Sequence, residues 1–355
     1  MRTFAKAAMA AGFVTAAASV AALAQTGNQG GKINDNLGLM DYGVCRGIDP
    51  SCYHDWPRTK PAEYHVLLFT RTAGPRHANL GTALKDGLNP ELADDNVVQR
   101  ELGKLLAANG IKMDYTEDLS RMTNLNGYSA IIFYSTSRDN LDDGSKTALR
   151  QYMRAGGGFV GVHNAFGTNY NWPYYEGLLG GANYYDHGPE RNGDVVIVDN
   201  KDASTKGLPA RWKFRDEWYN LIPFPTKVRF LATIDEKSWD PAEDRGEGGP
   251  AAAAGRGAPA AGAVPAAAGT APAAGRGGAG RGPQLPSVVG RMPGHGAFHP
   301  VTWCQYYDGG KAWLTTLGHD AKDYSTDGSF AGAKEFQTML VGGIKSVMGI
   351  EPFCQ

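Results

Sequence analysis

The chain has 355 residues, 35 Lys and Arg against 36 Asp and Glu, and a formal net charge of −1. That balance excludes an electrostatic case for binding nucleic acid or an anionic membrane surface. The length suits one domain with extensions, and a core of that size folds without a metal or a covalent staple.

In chain order, Arg2 and Lys6 open an Ala/Val/Phe-rich stretch that ends in Ala22-Leu23-Ala24. This is the pattern of a secretory signal peptide over residues 1–24, too short and too Ala-rich for a membrane span. A secreted or periplasmic protein is therefore expected. Residues 25–61 are Gly/Asn-rich without periodicity and read as an extended arm. The four cysteines, Cys45, Cys52, Cys304 and Cys354, allow three pairings. In an exported chain disulfides outrank metal thiolates. Cys45–Cys52 with Cys304–Cys354 is the simplest arrangement, and the sequence leaves the other two open.

His65–Thr70 is a buried strand opening a domain that runs over 62–355. Asp94 is placed to cap a helix carrying Val97, Val98, Leu102, Leu105 and Leu106 on one face, closed by Asn109-Gly110. Ile111–Thr116 and Ala130–Tyr134 are further strands. A helix over Asp142–Ala155 with Leu149, Tyr152 and Met153 inward leads through Gly156-Gly157-Gly158 into a strand ending at His163. Strands alternating with helices predict an α/β fold with a doubly wound, mostly parallel sheet. The second half adds β-rich pieces: Val195–Val198, Val228–Ala232, Val301–Trp303 and Ala312–Leu317, the last after an Asp308-Gly309 turn signal. A final helix is expected from about Ala331 to Met348, with Phe336, Leu340, Ile344 and Val347 inward. Between them, 246–286 collapses to Ala, Gly, Pro and Arg. This segment has no apolar periodicity and is expected to be a disordered insertion. Its GRG repeats are too sparse in arginine to argue for RNA.

The carboxyl ends of parallel strands are where such sheets bind ligands. His77, Glu117, Asp118 and His163 all follow strands there. No Cys–His or Ser–His–Asp arrangement and no GxSxG serine pattern accompanies them. His187, Asp216, Glu217 and His319 are the polar candidates from the second half, with His299 before Pro300. Trp172, Tyr175, Trp218 and Tyr219 flank these groups and offer aromatic faces for a sugar ring, although core packing would explain them equally.

Six ordered segments carry a family resemblance: Thr70–His77 (TRTAGPRH), Tyr115–Asp118, Gly156–Tyr175, Ser204–Asn220, Phe298–Trp303 and Leu317–Ala321. Together they resemble the trehalose-utilisation (ThuA-like) family, whose fold is related to class I glutamine amidotransferases. The resemblance implies that fold and a substrate among trehalose-like glycosides or keto-sugars. It does not carry the amidotransferase reaction, because the turn after the fourth strand holds Val162-His163-Asn164 in place of a cysteine. Pro75, Asp202-Ala203 and Met339 depart from the family's usual pattern.

The resulting expectation is a carbohydrate-active hydrolase, lyase or isomerase. His77, His163, His187 and His319, with Asp216 and Glu217, would carry catalysis. Glu117, Asp118, Trp172, Tyr175, Trp218, Tyr219 and His299 would bind the small-molecule sugar. Ordinary two-carboxylate glycoside hydrolysis would pair Asp118 with Glu217. A divalent metal such as zinc, held among the four histidines, is a candidate cofactor, although no HExxH spacing supports it. The competing reading is a non-catalytic carbohydrate-binding module. The catalytic reading requires the four histidines to meet the acidic residues in one pocket at the carboxyl edge of the sheet.

Overall fold

The computed structural model describes residues 40–56, 63–240, 243 and 295–355. The expected signal peptide (1–24), most of the expected arm and the Ala/Gly/Pro/Arg-rich insertion (246–286) lie outside them. Among the described residues no helix is long and apolar enough to cross a membrane.

The strands, in chain order, are β1 (Met40–Asp41), β2 (Val44–Gly47), β3 (His65–Phe69), β4 (Lys112–Thr116), β5 (Ala130–Tyr134), β6 (Gly158–Val162) and β7 (Tyr184–His187). They continue with β8 (Arg191–Ile197), β9 (Arg211–Asp216), β10 (Tyr219–Leu221), β11 (Arg229–Asp235), β12 (His299–Tyr307) and β13 (Gly310–Thr315). The helices are α1 (Val97–Ala107), α2 (Asp143–Arg154), α3 (Pro173–Leu178) and α4 (Ala333–Met348).

Eleven strands form one sheet, ordered β4-β3-β5-β6-β13-β12-β11-β8-β9, with β1 and β2 joined through β12. From β4 to β13 all pairings are parallel, and from β13 outward they are antiparallel. The parallel half explains its own sequence. Helices cover both faces, so β3, β5 and β6 are continuous apolar runs; Val66–Phe69 and Ala130–Tyr134 are fully buried. The chain goes from β3 outward to β4, then back across β3 to β5, which makes the carboxyl ends of β3 and β5 a topological switch point.

The helices differ from expectation in two details: α3 is an additional helix, and the cap of α1 moves. The N-cap position of α1 is Asn96, not Asp94, and its side chain makes no capping bond to the helix. Asn96 uses its side chain to tie the neighbouring loop, donating to the carbonyls of Leu80 and Thr82 and accepting from Ala93 N, while Asp94 stays at the surface near Arg100. For α2, Asp142 caps by accepting from Ser145 N at 2.7 Å. In α4, Phe336, Leu340, Ile344 and Val347 are buried as their spacing required.

In the second half, β12 and β13 form a hairpin longer than expected. Its turn places Asp308 and Gly309 both at positive φ, 47° and 94°, which matches the right-handed twist of the flanking strands. Within the expected arm, β2 pairs with the end of β12 and Arg46 is almost fully buried. Its guanidinium donates to Asp41, Gln305 and Thr226. Both disulfides, Cys45–Cys52 and Cys304–Cys354, are present, and no described cysteine is free. The second ties the C-terminus to central strand β12. The edge strand β9 packs onto the start of α4: Phe214 stacks on Phe336 at 5.7 Å. That packing carries Asp216 and Glu217 back toward the carboxyl edge of the parallel strands.

A histidine and carboxylate cluster as the candidate functional site

His163 is the first residue after β6 and the start of a 3-10 turn over His163–Gly167. Its φ is +52°, a left-handed conformation that L residues other than glycine adopt at a cost and that marks functional turns. Gly161 makes the turn fit: a Cβ there would come within 2.8 Å of Leu314 Cδ2. The strained turn lifts the His163 ring to the sheet edge, where it is nevertheless fully buried. Its Nδ1 donates to the Thr316 carbonyl at 2.8 Å. That bond fixes the tautomer and leaves the Nε2 lone pair facing the cluster.

Around that lone pair stand His77 Nε2 at 3.2 Å, His319 Nδ1 at 3.3 Å, Tyr219 Oη at 2.8 Å and Glu217 Oε2 at 3.7 Å. Glu217 Oε2 lies 3.3 Å from His319 Nδ1, 3.8 Å from His77 Nε2 and 3.4 Å from His187 Nε2. One ligand atom each from His77, His163, Glu217 and His319 falls within 4.8 Å of all the others. Four imidazoles therefore surround one carboxylate oxygen. They arrive from the ends of β3, β6 and β13 and from the β7–β10 ribbon, in which His187 pairs with Tyr219.

The electrostatics follow from burial and these contacts. Burial lowers the His163 imidazole to about 3, opposed by Glu217 and aided by the neighbouring His77 and His319. Burial lowers His77 as well, with Glu217 opposing. His319 goes the other way: burial alone would lower it, but the hydrogen bond and charge of Glu217, with Asp216, raise it to about 9. Burial would raise Glu217, yet the surrounding imidazoles of His163, His319, His77 and His187 hold it well below the usual carboxylate range. Burial raises Asp216 to about 8, against the opposing effects of His319 and two backbone amides. The Tyr219 phenol, buried beside Glu217, is raised well above its ordinary value.

Asp216 lies behind the cluster, its Oδ1 3.9 Å from His163 Nδ1, on the side away from Nε2. It accepts from Glu217 N at 2.7 Å and Gly318 N at 2.9 Å and so holds the backbone on both sides. Gly318, at φ +117°, has room for no side chain, since a Cβ would meet Tyr134 Oη at 2.8 Å. Its carbonyl accepts from Asn79 and Tyr134, which sets the approach of His319.

The remaining expected residues fall elsewhere. Glu117 is buried and accepts from Thr70 and Arg76, bracing the loop that carries His77. Asp118 caps the turn after β4 by accepting from Ser120 N and Gly87 N, and is not brought to the histidines. Tyr175 is core, donating to the Ala165 carbonyl, with Trp172 stacked on it at 6.2 Å. Trp218 is core too, donating to the Arg191 carbonyl. His299 lies one layer behind, its Nε2 donating to the Tyr219 carbonyl at 2.9 Å and its Nδ1 facing Glu236 at 2.8 Å. Thr316, Gly318 and Arg76 were not singled out from sequence. Two act through backbone atoms that carry no residue-type signal, and Arg76 looks like any surface arginine.

Comparisons place this geometry in context. A ThuA-like protein from Bacteroides uniformis aligns over 83% of this chain and 95% of its own, with a TM-score of 0.51 and 18% identity. One from Parabacteroides merdae aligns over 81% and 91%, with a TM-score of 0.51 and 14% identity. At those identities the likeness is one of fold. Comparison with curated proteins gave no match. The family profile described as trehalose utilisation (ThuA) matches residues 65–346, which span every residue of the cluster. The chain belongs to the ThuA trehalose-utilisation family.

Proposed function

We propose that this is an exported enzyme of glycoside or keto-sugar catabolism whose centre is a divalent metal held by His77, His163, His319 and Glu217. One observation carries the reading: three imidazole nitrogens and a carboxylate oxygen converge, and the Thr316 carbonyl has already committed the His163 lone pair to that point. An imidazole whose second nitrogen is tied to a carbonyl is the usual arrangement of a metal-ligating histidine. Ligands at ~2.0–2.1 Å around a tetrahedral ion stand ~3.3 Å apart. The five separations given above, 3.2–3.8 Å, are of that size before any ion draws the ligands in. Imidazole with a carboxylate suits zinc and other first-row divalent ions, and zinc is the ion proposed.

When bound, the metal would supply Lewis-acid polarisation of a sugar oxygen. The protein's own residues do the rest. Tyr219 keeps its proton and in this structure donates it to His163 Nε2 at 2.8 Å; with that lone pair committed to a metal, the proton would be free for an oxygen entering the cluster. His187 touches Glu217 from the ribbon side and is the nearest further acid–base group. Asp216 holds the Glu217 and Gly318 backbones. Two-carboxylate hydrolysis through Asp118 and Glu217 is not supported, since Asp118 serves as a cap. The sugar substrate class rests on the family description. Export rests on the N-terminal sequence pattern and on two disulfides, which persist in oxidising compartments.

The test is elemental analysis of purified protein together with a turnover screen on trehalose, other glycosides and their keto derivatives. One bound metal per chain, and turnover lost on chelation and in His163→Ala, are expected. Sugar binding without turnover, indifferent to His163→Ala beyond affinity, would instead make this a binding module. Four free thiols in protein recovered from the periplasm would contradict the disulfides, and a chain found only in the cytoplasm with residues 1–24 uncleaved would sink the export reading.

A further inference from the structure

The loop after β5 carries a second group of polar side chains that the cluster does not use. Ser135 and Arg138 both adopt positive φ, 46° and 55°, and Asn169, which pairs with this loop, has φ 49°. The loop is zipped to the segment following His163. Arg138 N donates to the Gly167 carbonyl at 2.8 Å, Asn169 N to the Arg138 carbonyl at 3.0 Å, and Asn164 Nδ2 to the Thr136 carbonyl at 2.9 Å. Three non-glycine residues in left-handed conformations at a topological switch point are an observation that calls for a ligand.

The side chains point the same way. Among the described residues Asn169 is 1% exposed, and neither its Oδ1 nor its Nδ2 has a partner. The Ser135 and Ser137 hydroxyls are likewise buried and unpartnered. Arg138 Nε is buried without an acceptor, and among the described residues no carboxylate forms an ion pair with its guanidinium. Arg76 is engaged by Glu117 and three loop carbonyls, and Arg71 donates through Nη1 to the Glu117 carbonyl while its Nε is buried without a partner. Arg138 lies across Gly74, where an added Cβ would stand 2.3 Å from its Cδ, and Gly74 belongs to the loop that ends in His77. On the other side its charge acts on the phenol of Tyr170, which donates to the carbonyl of Tyr184, whose ring abuts Tyr219 at 4.6 Å. The unpaired guanidinium thus sits between two supports of the histidine cluster.

Buried polar groups are rarely left unpaired, and an uncompensated guanidinium seeks a planar anion. We propose that Arg138 and Asn169 form the subsite that recognises a carboxylate group on the sugar substrate, presenting that sugar to the adjacent cluster. The inference rests on the reading of that cluster as a sugar-active centre. Arg138 offers a two-pronged donor pair to the carboxylate, and the Asn169 amide offers a further donor to it or an acceptor to a neighbouring hydroxyl.

The experiment is calorimetric binding of D-glucuronate and D-glucose to the full chain, with metal content measured in parallel. Wild type should bind glucuronate about tenfold to a hundredfold more tightly than glucose, the range of one charge-assisted contact. Arg138→Met should abolish that preference at unchanged metal content, and Arg138→Lys should keep part of it. Asn169→Asp preserves shape and tolerance of positive φ while setting like charge against the ligand, and should lower the preference even if Arg138→Met fails to fold. Equal wild-type affinities, or a preference that survives Arg138→Met or Asn169→Asp, would overturn the proposal. A preference that holds in protein lacking metal would support this subsite while removing the metal reading, so the two fail separately.

Discussion

Replacing Glu217 by Gln in chelator-treated protein probes the charge that organises the cluster. Glu217 Oε2 stands 3.3 Å from His319 Nδ1, and that contact, with Asp216, overcomes burial to raise His319 to about 9. Against the ordinary value of about 6.5, this corresponds to about 3 kcal/mol of preference for the charged ring. Without the carboxylate, burial dominates, and His319 should titrate at or below 6.5. The sign of the stability effect follows. A group whose folded value is raised adds stability that is complete below about pH 6.5 and is lost as pH rises through 9. Glu217, held low, adds stability that is present above its unfolded value of ~4.3 and lost as pH falls below that. The stability gap between wild type and Glu217→Gln should therefore be widest between about pH 5 and 6.5 and should narrow toward pH 9 and above. Histidine Cε1–H titration by NMR, with urea unfolding at pH 5.5, 7.5 and 9.5, measures both. A His319 that still titrates near 9 in the variant, or a gap that widens with pH, would refute the reasoning.

Further outcomes are expected. Replacing Cys304 and Cys354 with Ser opens a loop with a sequence separation of 50, which should cost about 4 kcal/mol and lower the thermal midpoint by on the order of 10 °C; an unchanged midpoint would show that the C-terminal tail is held by packing alone. Glu236, whose burial is outweighed by hydrogen bonds from His299 and two amides, is held low. Glu236→Gln should therefore destabilise the protein at pH 7 but not at pH 3, and equal loss at both would contradict this. Gly161→Val must displace Leu314 or the His163 turn; a cost of about 1–3 kcal/mol and loss of metal uptake are expected, and uptake at wild-type affinity would show the turn to be more compliant than its packing implies.

Much of the parallel half was legible from the sequence because its information is local. Val66–Phe69, Ala130–Tyr134 and the glycine-bounded run to His163 are apolar segments that strands buried on both faces require, and Asp142 announces its helix through a side chain that caps its own backbone. His77, His163 and His319 were readable as strand-end residues, since parallel strands deliver their ends to one side. β9 was missed although Arg211–Asp216 alternates exposed and buried residues, and β7 and β10 are too short for period two to register. The tertiary structure alone decided what depends on distant backbone. The packing of β9 on α4 brings Glu217 within reach of four imidazoles, the Thr316 carbonyl sets the His163 tautomer, and Arg138 remains unpaired while Arg76 does not. Tyr175 and Trp218 carry the same residue types as a sugar platform, yet packing turned them into core, and Trp172 is half-buried against Tyr175. Side-chain chemistry and periodicity are written in neighbouring residues, whereas a site's geometry is the sum of contacts between segments as far apart as His77 and His319, and no local pattern encodes which of them meet.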